Sequence, residues 1–135
     1  DFEVLRAAGA IVGSGGLIAA DDSSCIVDLT RSLIAFCQYE SCGKCFPCRM
    51  GMSHLLEVLE RLCRLEGTTD DLALMQKVGV NMQAGSLCGH GQLGFNPVSS
   101  ALRYFGPEFD THIVEHTCPT GTCLEPSYSP AQSRR

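Results

Sequence analysis

The sequence is short of positive charge. Its 135 residues hold ten Lys and Arg against fifteen Asp and Glu, and only Lys44 and Lys77 are lysines. The formal net charge is −5. A nucleic-acid binder carries a basic stripe to meet phosphates, and no segment here supplies one. A helix lying on an anionic membrane surface needs the same feature. Both classes are set aside. No apolar run approaches the roughly 18–20 residues that cross a bilayer, so direct membrane insertion is not expected. The start lacks the pattern of a secretory signal. It also lacks an initiator methionine, since the chain opens at Asp1. That is expected of a piece of something longer, or of a processed product.

What is present suffices for a packed domain. Hydrophobic residues make up 44% and charged residues 19%, a globular rather than a disordered balance. A chain of this size buries roughly two-thirds of its unfolded surface. One domain, or one domain with a fragment of another, is expected.

Nine cysteines carry most of the information: Cys25, Cys37, Cys42, Cys45, Cys48, Cys63, Cys88, Cys118 and Cys123. The count is odd, no secretory signal precedes them, and three fall in one CxxCxxC run. These features point to a metal or cluster site in a reducing, cytoplasmic compartment rather than to a disulfide framework.

The spacing of apolar residues predicts a mostly α fold. Within residues 1–20, short apolar runs from Ala10 to Ala19 flank Gly13-Ser14-Gly15-Gly16 and read as strand, turn, strand. Two short strands do not fold alone, so they look like the end of a preceding domain. A phosphate loop is the rival reading of the glycines, but the lysine of a P-loop and the full GxGxxG spacing are missing. From Asp22 the period becomes helical. Ser23 or Ser24 caps a helix to about Tyr39, with Asp28 in its first turn and Ile26, Leu29, Leu33 and Phe36 as its stripe. Pro47 opens a second helix bearing Met52, Leu55, Leu56, Leu59, Leu62 and Leu65, which Gly67 ends. Thr68 or Thr69 caps a third, with Asp70 and Asp71 at its positive end and Leu72, Met75, Val78 and Met82 on its apolar face. A glycine-rich loop, Ala84 to Asn96, follows. Asn96-Pro97 opens a fourth helix through Phe105, Gly106-Pro107 breaks it, and a short helix runs on to about His116. The Pro- and Ser-rich end from Leu124 reads as a mobile tail. Four amphipathic helices with short loops predict an antiparallel four-helix bundle. The domain reading is therefore 1–20, 21–117 and a Cys-containing C-terminal segment, 118–135. The two cysteine-bearing loops, separated by two helices, can meet at one end of the bundle.

Three thiolates in Cys42-Gly43-Lys44-Cys45-Phe46-Pro47-Cys48 can wrap one face of an iron–sulfur cubane, and the fourth iron needs a remote ligand. Cys88 is the natural donor. Its loop, Ser86-Leu87-Cys88-Gly89-His90-Gly91, has glycines that allow close backbone approach and leave N–H groups for the sulfurs. Lys44 and Arg49 can offset the cluster's negative charge. His90 can tune its potential, or be only a loop residue. The competing readings are a four-cysteine zinc site and a thiol–disulfide relay. A second group, His112, His116, Cys118 and Cys123, holds suitable zinc ligands, and Cys25 completes three thiolates and one imidazole if the chain end folds back. Its alternative is a reducible disulfide or idle thiols, with His112 packed and bonded to a backbone carbonyl. Cys37 and Cys63 fall in helical stripes and read as small core residues. His54 reads as solvent-facing.

The segments ESCGKCFPCR and SLCGHGQLGFNPVSSALRYFGPEF are similar to the C-terminal region of the NADH-binding flavoprotein subunit of respiratory complex I. The same module occurs in NAD-reducing and electron-bifurcating hydrogenases and in NAD-dependent formate dehydrogenases. The resemblance covers about residues 9–117. It implies that Cys42, Cys45, Cys48 and Cys88 bind a [4Fe-4S] cluster that takes electrons from FMN. It implies that residues 1–20 end a β-grasp-like domain. It implies partners: the other subunits of a multi-subunit redox complex, a small iron–sulfur subunit among them. The family's FMN- and NADH-binding domain lies upstream of this segment, and none of it is in these residues. The Cys118/Cys123 pair departs from the usual complex I subunit and looks more like the soluble hydrogenase and formate dehydrogenase relatives; in bifurcating hydrogenases of this type a zinc site holds a C-terminal extension. The equivalent ligands here are Cys25, His112 or His116, Cys118 and Cys123. The chain ends at Arg135, so no ferredoxin-like extension is expected to follow. The function expected is electron transfer between FMN and partner clusters. The alternatives are a structural zinc- or cluster-binding docking module and a thiol-redox sensor.

Overall fold

A computed structural model describes residues 2–10, 13 and 15–124. They form six α-helices: α1 (Phe2–Ala7), α2 (Ile26–Tyr39), α3 (Phe46–Cys63), α4 (Thr69–Gly85), α5 (Gly89–Leu93) and α6 (Asn96–Val114). A 3-10 turn, Thr122–Leu124, follows. The fold is mostly α, and no strand occurs among the described residues.

Helix α3 is the hub and touches α2, α4, α5 and α6. Its leucines explain this. Met52, Leu55, Leu59 and Leu62 are completely buried, as the dense apolar stripe predicts. The helix stops earlier than Gly67. Leu65 takes a left-handed conformation (φ 60°), and the N–H groups of Leu65 and Glu66 return to the carbonyls of Leu62 and Arg61. That is a Schellman ending with leucine where glycine is usual.

Helix α4 begins where the sequence places it. Asp71 accepts the N–H of Thr68 at 2.8 Å and its hydroxyl at 3.2 Å. The same carboxylate pairs with Arg61 near the end of α3. At the opposite end, a Cβ on Gly85 would stand 3.0 Å from the Pro47 ring at the start of α3. Helices α3 and α4 are therefore antiparallel, with the CxxCxxC segment beside the Cys88 loop.

Three expectations need correcting. The strand–turn–strand reading of residues 1–20 fails among the described residues: Phe2–Ala7 is helical, and no strand lies between Ala10 and Ala20 (Ile11, Val12 and Ser14 are outside the described residues). With no sheet to pair with, short apolar runs gain nothing from extension. Helix α2 is capped at Cys25, not at Ser23 or Ser24, which bond to Asp21 instead. It buries Val27, Thr30 and Ile34 rather than the Ile26/Leu29/Leu33/Phe36 stripe, and Phe36 is 63% exposed. Both faces are apolar, so periodicity alone could not choose between them. The Ala84–Asn96 loop contains the end of α4 and the short helix α5. The break expected at Gly106-Pro107 is present: non-helical angles at Phe105 (φ −130°, ψ 26°) divide α6 into two helical stretches. Apart from Leu124, the expected tail (Leu124 to Arg135) lies outside the described residues.

Candidate metal centres

Cys45 and Cys88 are the N-cap residues of α3 and α5. Both have extended backbone, and neither thiol makes a capping bond. Both thiols thus lie at helix N-termini. Cys48 is buried in the first turn of α3, Cys45 is half-buried, and Cys42 and Cys88 are exposed. The Leu87 N–H above all, then the Cys48 N–H, hold the Cys45 thiol below its ordinary value. So the backbone beside Cys88 reaches a cysteine of the run. The Ser41 hydroxyl lies 3.5 Å from Cys48 Sγ. Ser86 Oγ, buried, has no hydrogen-bond partner.

These residues fit a [4Fe-4S] cluster. Cys45 and Cys48 lie beside the Ser86–Gly91 stretch that carries Cys88, with backbone N–H and hydroxyl donors next to them. A cubane takes one thiolate per iron.

The proposed tuning residues have distinct settings. Lys44 is exposed. Arg49 donates to the Gly43 carbonyl at 2.7 Å and so tethers the turn between Cys42 and Cys45. Gly43 sits at φ 70°, which explains the glycine. His90 Nε2 donates to the Cys37 carbonyl at 2.9 Å, tying α5 to the end of α2.

The second group assembles at the other end of the helices, because residues 118–123 fold back. The Cys118 carbonyl accepts the Gly121 N–H across a turn, and Thr122 Oγ1 donates to the Ser23 carbonyl at 3.5 Å. The ligand atoms of Cys25, His112, Cys118 and Cys123 then lie within 4.8 Å of one another. His112 is completely buried. Its Nδ1 donates to the Glu108 carbonyl at 2.7 Å, which turns Nε2 toward Cys25 Sγ at 3.4 Å and Cys123 Sγ at 3.6 Å. This is the arrangement of a metal-binding histidine with an oriented outer partner. His116 is not in the group. It is exposed, and its Nδ1 donates to the Leu65 carbonyl.

The electrostatics of the group suit a cation. Burial opposes charge on His112, but the Cys25 sulfur and the Glu108 carbonyl outweigh it and raise the ring to about 9. Burial likewise opposes the Cys118 thiolate, yet the Thr120 hydroxyl and the Cys123 N–H bring it down to about 6. Neighbouring Cys123 and burial push the Cys25 thiol far up. A metal ion bound here would displace the protons of His112 and Cys25. Three thiolates and one imidazole fit zinc.

Sequence reasoning missed three contributors. Glu108 caps α2 by accepting the Ile26 N–H at 3.2 Å, so the Cys25 thiol is not spent on the cap and meets His112 and Cys123 instead. Ser41 and Ser86 set hydroxyls beside cluster cysteines; their positions next to Cys42 and two before Cys88 were the available signal. Cys37 and Cys63 pack against the core, as expected. His54 is half-exposed beside Glu57.

Comparison with known proteins bears on the first centre. Residues 28–112 match the NADH-ubiquinone oxidoreductase-F iron-sulfur binding region. The chain belongs to this family. It is 36% identical to the NADP-reducing hydrogenase subunit HndC of Solidesulfovibrio fructosivorans, over 91% of this chain and 25% of that protein. It is 40% identical to the NADH-quinone oxidoreductase F 2 subunit of Rhizobium meliloti, over 88% of this chain and 28% of that one. A chain in the crystal structure of NAD+-reducing [NiFe]-hydrogenase in the H2-reduced state aligns with a TM-score of 0.69 and 26% identity, over 73% of this chain and 17% of that one. The chain thus spans about a quarter of the length of these curated relatives. No helix among the described residues is long and apolar enough to cross a membrane.

Proposed function

We propose that this chain is the electron-transfer module of an NAD(P)H-dependent flavoprotein oxidoreductase subunit. Cys42, Cys45, Cys48 and Cys88 would hold a [4Fe-4S] cluster at one end of an antiparallel bundle of α2, α3, α4 and α6. When bound, that cluster supplies one-electron chemistry between FMN, carried by an upstream domain with the NAD(P)H site, and the clusters of partner subunits. The chain's own residues do three things. The antiparallel pairing of α3 and α4 brings the two cysteine loops together. Backbone N–H groups and helix N-termini favour thiolate over thiol. Cys48 is buried while Cys42 and Cys88 face outward, which leaves one side of the site open to a partner. No acid, base or nucleophile is needed.

The observation that carries this reading is the family match over residues 28–112, which spans all four cysteines. Relatives named as subunits support the expectation of a multi-subunit complex; a small iron–sulfur subunit is the partner proposed within it. The test is anaerobic purification with iron, acid-labile sulfide and zinc quantified on one sample. About four iron and four sulfide per chain, with a reduced-state EPR signal, is the expected result. Zinc without iron that persists after iron–sulfide reconstitution would overturn it and leave a structural docking module.

The convergence of Cys25, His112, Cys118 and Cys123 supports a second centre in the same chain. We read it as a structural zinc site that pins the chain end to the start of α2. One zinc per chain beside the iron is expected, and its absence after zinc loading would remove this reading.

A further inference from the structure

Ser86 is the residue between α4 and the Cys88 loop. Its backbone is fully engaged: the N–H donates to the Met82 carbonyl at 3.1 Å, and the carbonyl accepts Gln92 Nε2 at 3.0 Å. Its hydroxyl is different. Ser86 is 6% exposed, and Oγ is the one buried side-chain polar atom among the described residues with no hydrogen-bond partner. A buried hydroxyl without a partner destabilises a fold, so such a group calls for an acceptor.

The surroundings of Oγ identify that acceptor's kind. A Cβ built on Gly91 would meet Ser86 Oγ at 2.5 Å and Cys48 Cβ at 2.9 Å, so the hydroxyl and Cys48 crowd the same point beside Gly91. Ser86 therefore stands beside Cys48 of the run and two residues before Cys88. A cluster held by those cysteines would bring sulfur acceptors to the hydroxyl. By contrast, the Ser41 hydroxyl already has Cys48 Sγ at 3.5 Å and accepts the Gly43 N–H at 3.3 Å.

We infer that Ser86 is a positioning residue of the iron–sulfur centre whose hydroxyl donates a hydrogen bond to a sulfur of the bound cluster or to a ligating thiolate. This rests on the cluster reading given above. A donor at sulfur stabilises the more negative, reduced state of the cluster and so raises its reduction potential. Gly91 is needed at its position because any side chain there would displace the hydroxyl.

The test compares the cluster-loaded wild type with Ser86→Ala, which removes only the hydroxyl from an already small side chain. Iron and sulfide are measured first, then the midpoint potential by EPR-monitored redox titration. The exchangeable-proton hyperfine coupling of the reduced cluster is measured after transfer to D2O. Full cluster content with a lower potential and loss of one exchangeable-proton coupling is expected. An unchanged potential and an unchanged coupling in the loaded variant would overturn the inference while leaving the cluster reading intact. A wild type that binds no cluster would overturn both, and the iron analysis alone reveals that case. If Ser86→Ala fails to load, Ser86→Cys serves instead: it keeps the side-chain shape with a weaker donor. A lower potential with a weakened exchangeable coupling is then required, and wild-type values of both would overturn the inference.

Discussion

Cys25 and His112 are 87 residues apart in sequence, yet Cys25 Sγ and His112 Nε2 lie 3.4 Å apart in the buried end of the helical domain. Two hydrogen bonds produce this contact. Glu108 fixes both partners: its side chain caps α2 beside Cys25, and its carbonyl holds His112 Nδ1. The 118–124 segment then folds over the pair, with Cys123 Sγ 3.7 Å from Cys25 Sγ.

Removing either member of that pair should empty the proposed zinc site. Loss of an outer-sphere partner typically lowers metal affinity by about 10–100-fold. A direct ligand should cost more. Cys25→Ser and His112→Ala are each expected to reduce zinc content far below one per chain while leaving iron content unchanged. His116→Ala should leave zinc in place, since its ring bonds to the Leu65 carbonyl. Metal analysis on the three variants decides this. Zinc lost on His116→Ala but kept on His112→Ala would contradict the geometry.

The helical stripe of α3 was legible because leucines recur densely enough that only one face can be the core. The CxxCxxC run and the remote Cys-Gly loop were legible because ligand spacing is local. What could not be read depends on long-range packing. His112 and His116 are four residues apart and equivalent by spacing; only burial of one on α6 and the left-handed backbone of the other (φ 49°) separates them. Helix α5 was hidden in a glycine-rich stretch whose composition favours a loop. The buried face of α2 was misread because two apolar faces compete, and the burial of Arg31 requires its pairing with Asp28 at 2.7 Å. Residues 10–20 were read as strands on local composition, although strands need a sheet that no described residue supplies.

The Arg61–Asp71 pair should give the fold a specific acid sensitivity. Burial alone would raise the Asp71 carboxyl, but the Arg61 guanidinium and the Thr68 N–H together hold it below its ordinary 3.8. The folded state therefore favours the ionised form. This contribution is complete above 3.8 and is lost as pH falls through the lower, folded-state value. Asp71→Asn should be less stable than wild type near neutral pH, by about 1–3 kcal/mol, because Arg61 and the start of α4 lose a charged partner. The gap between the two proteins should narrow as the pH is lowered beneath that window. Denaturant unfolding at a series of pH values measures it, and a constant gap across the acid range would contradict the assignment.

Gly79 tests the packing of α4 against the chain after α5. In an exposed helix, Gly→Ala gains about 0.8–1 kcal/mol of helix propensity. Here a Cβ would run into the Phe95 ring, which is 4% exposed. A rigid buried ring cannot swing away, and overpacking costs about 1–3 kcal/mol. The clash should win, so Gly79→Ala is expected to lower the unfolding midpoint despite the better helix former. A raised midpoint would show that Phe95 has room to move.

Gly89 and Gly91 flank His90 in the Cys88 loop and should respond oppositely to the same change. A Cβ on Gly89 meets nothing within 4 Å. A Cβ on Gly91 would stand 2.6 Å from Ser86 Cβ and 2.9 Å from Cys48 Cβ, neither of which is the free end of a flexible chain. Accommodating it must move either the loop that carries Cys88 or the first turn of α3 that carries Cys48. Gly91→Ala is therefore expected to reduce iron and sulfide incorporation at equal protein yield, whereas Gly89→Ala should load as wild type does. The zinc content of both should stay unchanged, because that centre lies at the far end of the helices. Equal iron loading in the two variants would mean that the close approach of the loop to Cys48 is not what shapes the site.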